Sequence, residues 1–308
     1  MTITASQVAE LRKKTGCGMM ECKKALVEAE GNMDEAIKVL RERGLSVAAK
    51  KADRIAADGV VDIKKAGDLT AMIEVNSETD FVAKNETFRA FVSSLLDTIL
   101  AEQPADVAAL LACKYAGTDV TVDDKMKEMV FTIGEKLDIR RFILVRGTTS
   151  TYIHGKGSIG VVVVFDADET AVSNEGFAEF AKNIALQVAA YPTVYLDRAS
   201  VPASVIAEEK EVLVTQIKND PAHASKPEAI IEKMVTGRLN KFYESNCLCE
   251  QGYVKDDAKK VSQYVADTAK AFGGKIAIKA FYRFEKGEGI QKREDDLAAE
   301  VSKLVGNK

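Results

Sequence analysis

The stretch Asn85-Glu-Thr-Phe-Arg-Ala-Phe91 indicates the architecture of the chain, because its pattern returns 89 positions later, without a gap, as Asn174-Glu-Gly-Phe-Ala-Glu-Phe180. The apolar residues that precede each stretch also correspond, since Met72-Ile-Glu-Val75 falls on Val161-Val-Val-Val164. Self-similarity over a fixed spacing indicates a repeated structural unit. We therefore predict that the middle of the chain is duplicated.

Each copy has the same predicted order of elements: two strands, two helices and a closing strand. Alternating apolar residues predict a hairpin of strands at 59–64 and 69–76 in the first copy. Apolar residues three and four apart predict the helices. These helices are expected at 88–100, 126–137, 179–189 and 261–272, and the closing strands at 141–146 and 276–284. The predicted fold class is α+β, with helices packed on one side of each antiparallel sheet.

The second copy contains an insertion at about 202–246. Helical patterns at 204–218 and 227–243 are separated by a segment with Pro221 and Pro227, which forbid one continuous helix. The insertion therefore predicts an antiparallel helical hairpin that projects from the sheet domain.

The N-terminal part of the chain predicts three short amphipathic helices around one small core. Thr4 and Gln7 form a capping box at the start of the first helix, and the third helix is predicted to close at Gly44. The predicted domains are 1–45, the three-helix domain; 46–58, a linker; 59–148, the first core subdomain; 149–290, the second core subdomain with its inserted hairpin; and 291–308, a C-terminal helical module.

The composition is typical of a globular protein, with 46% hydrophobic and 29% charged residues. A net charge of −4 provides no field that attracts nucleic acid, so a protein partner is expected instead. The five cysteines include no CxxC pair, which favours free thiols in a reducing cytosol. Neither a long apolar run nor a signal segment is evident, so we expect a cytoplasmic protein without membrane contact.

The sequence offers little that points to an enzyme, a metal site or a cofactor. Residues 155–160 spell GxGxxG, but a valine strand follows where a dinucleotide site requires a helix, so a hairpin turn is the better interpretation. A P-loop is absent, and His154 and His223 have no nucleophile at a recognisable spacing. We therefore expect a non-catalytic protein without a cofactor or a bound metal.

A polar stretch, Asn76-Ser-Glu-Thr-Asp-Phe-Val-Ala-Lys-Asn85, lies between a predicted strand and a predicted helix. Loops on a rigid scaffold are where binding residues concentrate. The second copy has Asp168-Glu-Thr-Ala171 in place of Thr79-Asp-Phe-Val82, so Phe81 is not needed by the repeated core. Burial of Phe81 in its own core is the competing interpretation.

At this loop the sequence resembles the elongation factor Ts family. The segment 78–85 is similar to the most characteristic stretch of that family, and the segment 11–26, which contains Thr15-Gly-Cys-Gly-Met-Met-Glu-Cys22, is similar to its N-terminal signature. Further similarity lies at Tyr152-Ile-His154, at Lys233-Met-Val-Thr-Gly-Arg238 and at 283–290. The resemblance covers the whole chain and implies a ubiquitin-associated-like head, a core of two related subdomains and an inserted hairpin.

The resemblance also implies an activity and a set of contact residues. The activity is guanine-nucleotide exchange on the GTPase elongation factor Tu. The implied contact loop comprises Thr79, Asp80, Phe81 and Val82, with Phe81 as a wedge near the partner's Mg²⁺. The implied head contacts are Met19, Met20 and Lys23, and the weaker ones are His154, Met234 and Val235.

Two other classes of function stay open at this point. An adaptor would bind its partners through the three-helix head alone, with the core as a scaffold. An enzyme would need a pocket with perturbed acid or base groups. The oligomeric state is also left open by the sequence.

Overall fold

The computed structural model describes residues 3–222 and 226–291, and all structural statements refer to these residues. The helices are α1 (Ala5–Thr15), α2 (Met19–Glu28), α3 (Met33–Lys51), α4 (Asp80–Ala83), α5 (Glu86–Glu102), α6 (Val107–Ala112), α7 (Val122–Ile133), α8 (Glu169–Val172), α9 (Phe177–Ala190), α10 (Ala203–Asn219), α11 (Glu228–Asn246) and α12 (Val261–Phe272). The strands are β1 (Asp58–Ala66), β2 (Leu69–Ser77), β3 (Leu137–Arg146), β4 (Thr148–His154), β5 (Ile159–Ala167), β6 (Gly252–Tyr253), β7 (Asp256–Lys260) and β8 (Ile276–Glu285). The α+β class is confirmed.

The predicted duplication is present in the strand order. One antiparallel sheet has the order β1-β2-β3, and a second has the order β4-β5-β8. The hairpin registers correspond, because Ile63 pairs with Met72 and Tyr152 pairs with Val161. Each sheet also has one irregularity where its middle strand meets its closing strand. The repeated asparagines explain part of the sequence signal, since Asn85 and Asn174 both accept hydrogen bonds from backbone N–H groups at the start of the next helix.

The two sheets pack on each other through the faces that their own helices do not cover. Val61 and Met72 of the first sheet form one cluster with Val162 and Phe284 of the second. The approach is close at Gly160, where a Cβ atom would lie 2.4 Å from Cγ1 of Val61. The predicted turn at 155–160 is confirmed as the β4–β5 hairpin. Helices α5 and α7 cover the outer face of the first sheet, and α9 and α12 cover that of the second.

The three-helix head forms as predicted, with the capping box at Thr4 and Gln7. Its core includes Leu11, Leu26 and Leu40, and Phe131 of α7 packs against this core. The head therefore contacts the first sheet unit directly through α7.

The prediction that the third helix closes at Gly44 was wrong, because α3 continues to Lys51. The first part of the predicted linker 46–58 is therefore helical. Gly44 is buried against Phe131, where a Cβ atom would lie 3.5 Å from Cβ of Phe131, and Ala48 packs against the core of the first sheet unit. This packing offsets the roughly 1 kcal/mol that glycine costs in a helix interior.

The inserted hairpin is present as α10 and α11. Its core consists of Leu213, Ile217, Ile231, Val235 and Leu239. Of the predicted C-terminal module 291–308, all but Gln291 lies outside the described residues, and so does His223. No helix in the described part of the chain is both long and apolar enough to cross a membrane.

Candidate functional site

The loop that follows β2 carries Phe81 on a one-turn helix, α4. The Phe81 side chain is 78% exposed, whereas its neighbours Val82 and Ala83 are each 7% exposed. Val82 belongs to the apolar cluster beneath the first sheet unit, so it fixes the inner side of α4. Burial of Phe81 in its own core is therefore excluded, and an aromatic ring faces solvent from an anchored turn.

The start of α4 is held by the turn between α7 and β3. The backbone N–H of Thr79 donates to one carboxylate oxygen of Glu135 at 2.9 Å, and its hydroxyl donates to the other at 2.7 Å. In the reverse direction, the backbone N–H of Lys136 donates to Glu78 at 2.6 Å. Reciprocal bonds of this kind fix the path of the loop on both sides.

Asp80 and Lys84 flank the exposed ring. Nζ of Lys84 lies 2.6 Å from Oδ2 of Asp80 and 5.8 Å from the centroid of Phe81. The hydrogen bond from Lys84 is the main cause that lowers the pKa of Asp80 from its ordinary value. Asp80 is therefore ionised at neutral pH and sits next to Phe81 as a negative charge.

The corresponding turn of the second repeat, α8, has a different surface. Thr170 occupies the position that corresponds to Phe81, and Ala171 beside it is fully buried. Asp168 accepts hydrogen bonds from the backbone N–H groups of Ala171 and Lys275 at 2.9 and 2.8 Å. Both repeats therefore build an anchored turn, and the first presents an aromatic ring on it.

The strand that leads into the loop is tied to distant parts of the chain by Glu74. Its side chain is fully buried and accepts hydrogen bonds from Arg140, from Arg141 and from the backbone N–H of Gly287. Gly287 lies in the segment 283–290 that sequence similarity singled out. A Cβ atom there would lie 2.1 Å from the carbonyl oxygen of Ala57, so the close approach requires glycine.

The predicted head contacts lie on the exposed surface of α2. Met19 is 47% exposed and Met20 is 64% exposed, and Lys23 is also exposed. Val27 is 59% exposed, and it follows Met20 by seven residues, so both lie on one helix face. Val27 was not among the contact residues expected from the sequence, although its spacing from Met20 places it on the same helix face.

The three weaker candidates have different environments. His154 is exposed at the end of β4, and its Nδ1 atom lies 3.1 Å from the hydroxyl of Tyr152. Met234 is partly buried against the hairpin core, and Val235 is 7% exposed within it. Packing between α10 and α11 therefore accounts for Val235 without a partner contact.

The structure does not bring all predicted residues to one place on the chain. Thr79, Asp80, Phe81 and Val82 share the β2–α4 turn, whereas Met19, Met20 and Lys23 share α2 in the head. His154 lies at the hairpin turn of the second sheet, and Met234 lies in the inserted hairpin. Separate surfaces of this kind suit a large protein partner better than a small ligand.

Comparisons with known proteins agree with the pattern of motifs. A family model described as "Elongation factor TS" matches residues 78–288. The chain is similar to elongation factor Ts of Clostridioides difficile (strain 630), with 49% identity over 307 residues that cover 98% of this chain and 99% of that protein. It is also similar to elongation factor Ts of Syntrophotalea carbinolica, with 43% identity over 308 residues, 99% of this chain and 100% of that protein. For elongation factor Ts of a Nitratiruptor species, the identity is 44%, with 98% and 99% covered.

Proposed function

This chain belongs to the elongation factor Ts family, and from that premise we propose that it is a cytoplasmic guanine-nucleotide exchange factor for elongation factor Tu in translation elongation. The observation that carries the proposal is the position of Phe81, 78% exposed on a turn whose neighbouring residues are buried. An exposed aromatic ring on a rigid support is suited to insertion between elements of a partner protein.

The proposed mechanism requires no chemistry from this chain. In a GTPase, Mg²⁺ bridges the phosphate oxygens and protein ligands and is the largest local charge that holds the nucleotide. Phe81 would enter the partner near that site, and the ionised Asp80 would disturb the groups around it. The Mg²⁺ ion belongs to the partner, and this chain supplies no cofactor.

The energetic requirement is within reach of a binding protein. Burial of one phenylalanine side chain contributes about 1.5–3 kcal/mol. A coupling of about 1–3 kcal/mol between two ligands already changes affinity by about 5- to 150-fold, and an exchange factor needs more than this. The head surface with Met19, Met20, Lys23 and Val27 would supply further binding energy, with smaller contributions from His154 and Met234. Since coupling is reciprocal, incoming nucleotide would in turn weaken binding of the factor.

The experiment is stopped-flow release of fluorescent GDP from elongation factor Tu of the same organism. Wild-type protein should accelerate release strongly, and Phe81→Ala should reduce the maximal acceleration by at least about tenfold, as loss of a buried anchor side chain implies. Val172→Ala is a matched control, because Val172 is a 39% exposed apolar residue on α8, the corresponding turn of the second repeat. An equal loss for both variants, or none for Phe81→Ala, would contradict the wedge.

The adaptor alternative is separated by a substitution in the head. Deletion of the head is unsuitable, because Phe131 packs against the head core and would be uncovered. Met20→Lys instead places a charge on the exposed face of α2 without altering the core. If the protein is an exchange factor, Met20→Lys should raise the protein concentration that gives half-maximal GDP release and leave the maximal rate similar. If it is an adaptor, neither the wild type nor Met20→Lys would accelerate GDP release.

A further inference from the structure

Carboxylates tie the turn after the middle strand to the start of the closing strand in both repeats, and the first repeat has an additional carboxylate on the closing-strand side. In the second repeat the carboxylate belongs to Asp168 at the start of α8, and it accepts from the backbone N–H of Lys275 just before β8. In the first repeat the backbone N–H of Lys136 donates to Glu78 in the same direction, and Glu135, just before β3, also accepts from the backbone N–H and hydroxyl of Thr79. Each closing strand is thus tied to the turn that follows the middle strand.

The additional carboxylate needs a side chain at a position of the junction where the second repeat has little space. In the second repeat the junction has Gly274, and a Cβ atom there would lie 2.4 Å from Oδ1 of Asp168. In the first repeat the junction has Glu135, whose side chain reaches outward over the loop to Thr79. Both carboxylate oxygens of Glu135 therefore accept hydrogen bonds from Thr79, the residue that precedes Asp80 and Phe81.

The same junction also binds the chain that comes from the head. Nζ of Lys51, the last residue of α3, donates to the carbonyl oxygen of Gly134. Nζ of Lys136 donates to the carbonyl oxygen of Arg54 at 2.8 Å, and Arg54 forms an ion pair with Glu78 at 3.2 Å. The turn at 134–136 thus contacts the end of α3, the segment that follows it and the loop with Phe81.

We propose that Glu135 is a positioning residue for nucleotide exchange, which rests on the function proposed above. Its carboxylate holds α4 in one orientation. The Phe81 side chain is therefore already in the orientation that insertion into the partner requires. The neighbouring residues of the same turn, Gly134 and Lys136, bind Lys51 at the end of α3 and Arg54. These bonds hold the α2 surface of the head at a fixed distance and orientation relative to Phe81. Pre-organisation of this kind removes an ordering cost from the step in which the bound factor inserts Phe81 beside the nucleotide site, so it acts on the maximal rate of release.

The test is stopped-flow release of GDP from elongation factor Tu with Glu135 variants. Glu135→Ala loses both hydrogen bonds to Thr79, which should lower the maximal rate by about tenfold, with a smaller change in the half-saturating concentration. Glu135→Gln should restore most of the rate, since its carbonyl oxygen accepts from the Thr79 N–H and its NH₂ group donates to the Thr79 hydroxyl oxygen.

A double variant separates positioning from a general loss of stability. If Glu135 acts through Phe81, then Glu135→Ala combined with Phe81→Ala should have the same maximal rate as Phe81→Ala alone. Asp168→Ala is the matched control, because it removes the corresponding carboxylate from the second repeat, and its rate should equal that of the wild type. If Glu135→Ala does not fold, Thr79→Val removes one of the two bonds and should give a smaller decrease in the same direction.

The outcomes distinguish the two proposals. If wild-type protein does not accelerate GDP release, the proposed function fails and the role of Glu135 fails with it. If the wild type accelerates release and Phe81→Ala reduces it, three results would each overturn the role of Glu135 alone: an unchanged rate in Glu135→Ala, no recovery in Glu135→Gln, or losses in the double variant that multiply.

Discussion

Nε of Arg141 donates a hydrogen bond of 2.6 Å to Oε2 of Glu74, which is fully buried at the centre of β2. The guanidinium of Arg141 also lies 4.2 Å from the ring centroid of Phe284 on β8. Arg141 on the first sheet therefore donates to the buried carboxylate of Glu74 and also packs on the ring of Phe284 in the second sheet. The pair connects the strand that leads into the Phe81 loop with the closing strand of the other repeat.

Removal of the buried carboxylate should destabilise the protein. Glu74→Ala removes one acceptor from Arg140 and Arg141, which are partly exposed and keep Glu288 as an acceptor. It also leaves the buried Gly287 N–H without a partner, which costs about 1–3 kcal/mol. Urea unfolding followed by circular dichroism measures the change. Asp119→Ala is the control, because the Asp119 side chain is 98% exposed in its pair with Lys114, and exposed pairs contribute about 0–1 kcal/mol. Similar losses for the two variants would contradict the assigned role of Glu74.

A methyl group at Gly160 should disturb the contact between the sheets. The Cβ atom of Gly160→Ala would lie 2.4 Å from Cγ1 of Val61 and 3.0 Å from the sulfur of Met72. Overpacking of this kind costs about 1–3 kcal/mol, which a lower midpoint of urea unfolding would report.

The same change from glycine to alanine at Gly237 should raise the midpoint of urea unfolding, in contrast to Gly160→Ala. Gly237 lies within α11, and a Cβ atom there would meet nothing within 4 Å. Alanine should therefore stabilise the helix by up to about 1 kcal/mol. An unchanged or raised midpoint for Gly160→Ala would contradict the assigned cost of the close approach, and a lowered midpoint for Gly237→Ala would contradict the open surroundings of Gly237.

Acid should remove the stabilisation that Glu250 provides. Hydrogen bonds from Arg198 and Lys260 lower the pKa of Glu250 from 4.5 to about 2. Because the folded-state pKa is the lower one, the ionised form stabilises the folded state above pH of about 4.5, and this stabilisation is lost as the pH falls toward about 2. Wild type and Glu250→Gln should therefore differ in free energy of unfolding at pH 7 and converge across that range. A difference independent of pH would count against the ion pairs, and Glu211→Gln on an exposed part of α10 is the control.

The thiol of Cys249 should be unreactive in the folded protein. Burial is the main cause that raises its pKa to about 11, so little thiolate is present at pH 8. Iodoacetamide labelling followed by mass spectrometry should modify Cys249 slowly in buffer and rapidly in concentrated urea. Rapid labelling of the folded protein would show that the site is more open than its burial indicates.

The repeat and the exposed loop could be predicted from sequence because both depend on local patterns. The spacing of Phe88 and Phe91 recurs at Phe177 and Phe180, and all four side chains are buried in their own units. The absence of an aromatic residue at Thr170 indicated that Phe81 is not part of the repeated core. Composition alone does not distinguish that exposed phenylalanine from a buried one.

The end of α3 could not be predicted in the same way. Gly44 is a common helix terminator, and the residues after it have no apolar stripe of their own. The helix continues because Phe131, which is 87 positions away in the chain, packs against the Gly44 backbone. A contact of that range outweighs the local preference of glycine.

Local sequence patterns were sufficient to predict the two sheet units, the helical head, the inserted hairpin and the loop at 78–85, because periodic burial and turn residues act over a few positions. Three-dimensional packing was needed to establish that Phe81 faces solvent, that Glu135 holds Thr79, and that Glu74 joins Arg140, Arg141 and Gly287. The two sets of hydrogen bonds join residues tens to hundreds of positions apart. Such donors and acceptors come together only when the chain has folded, so no local sequence pattern predicts which of them pair.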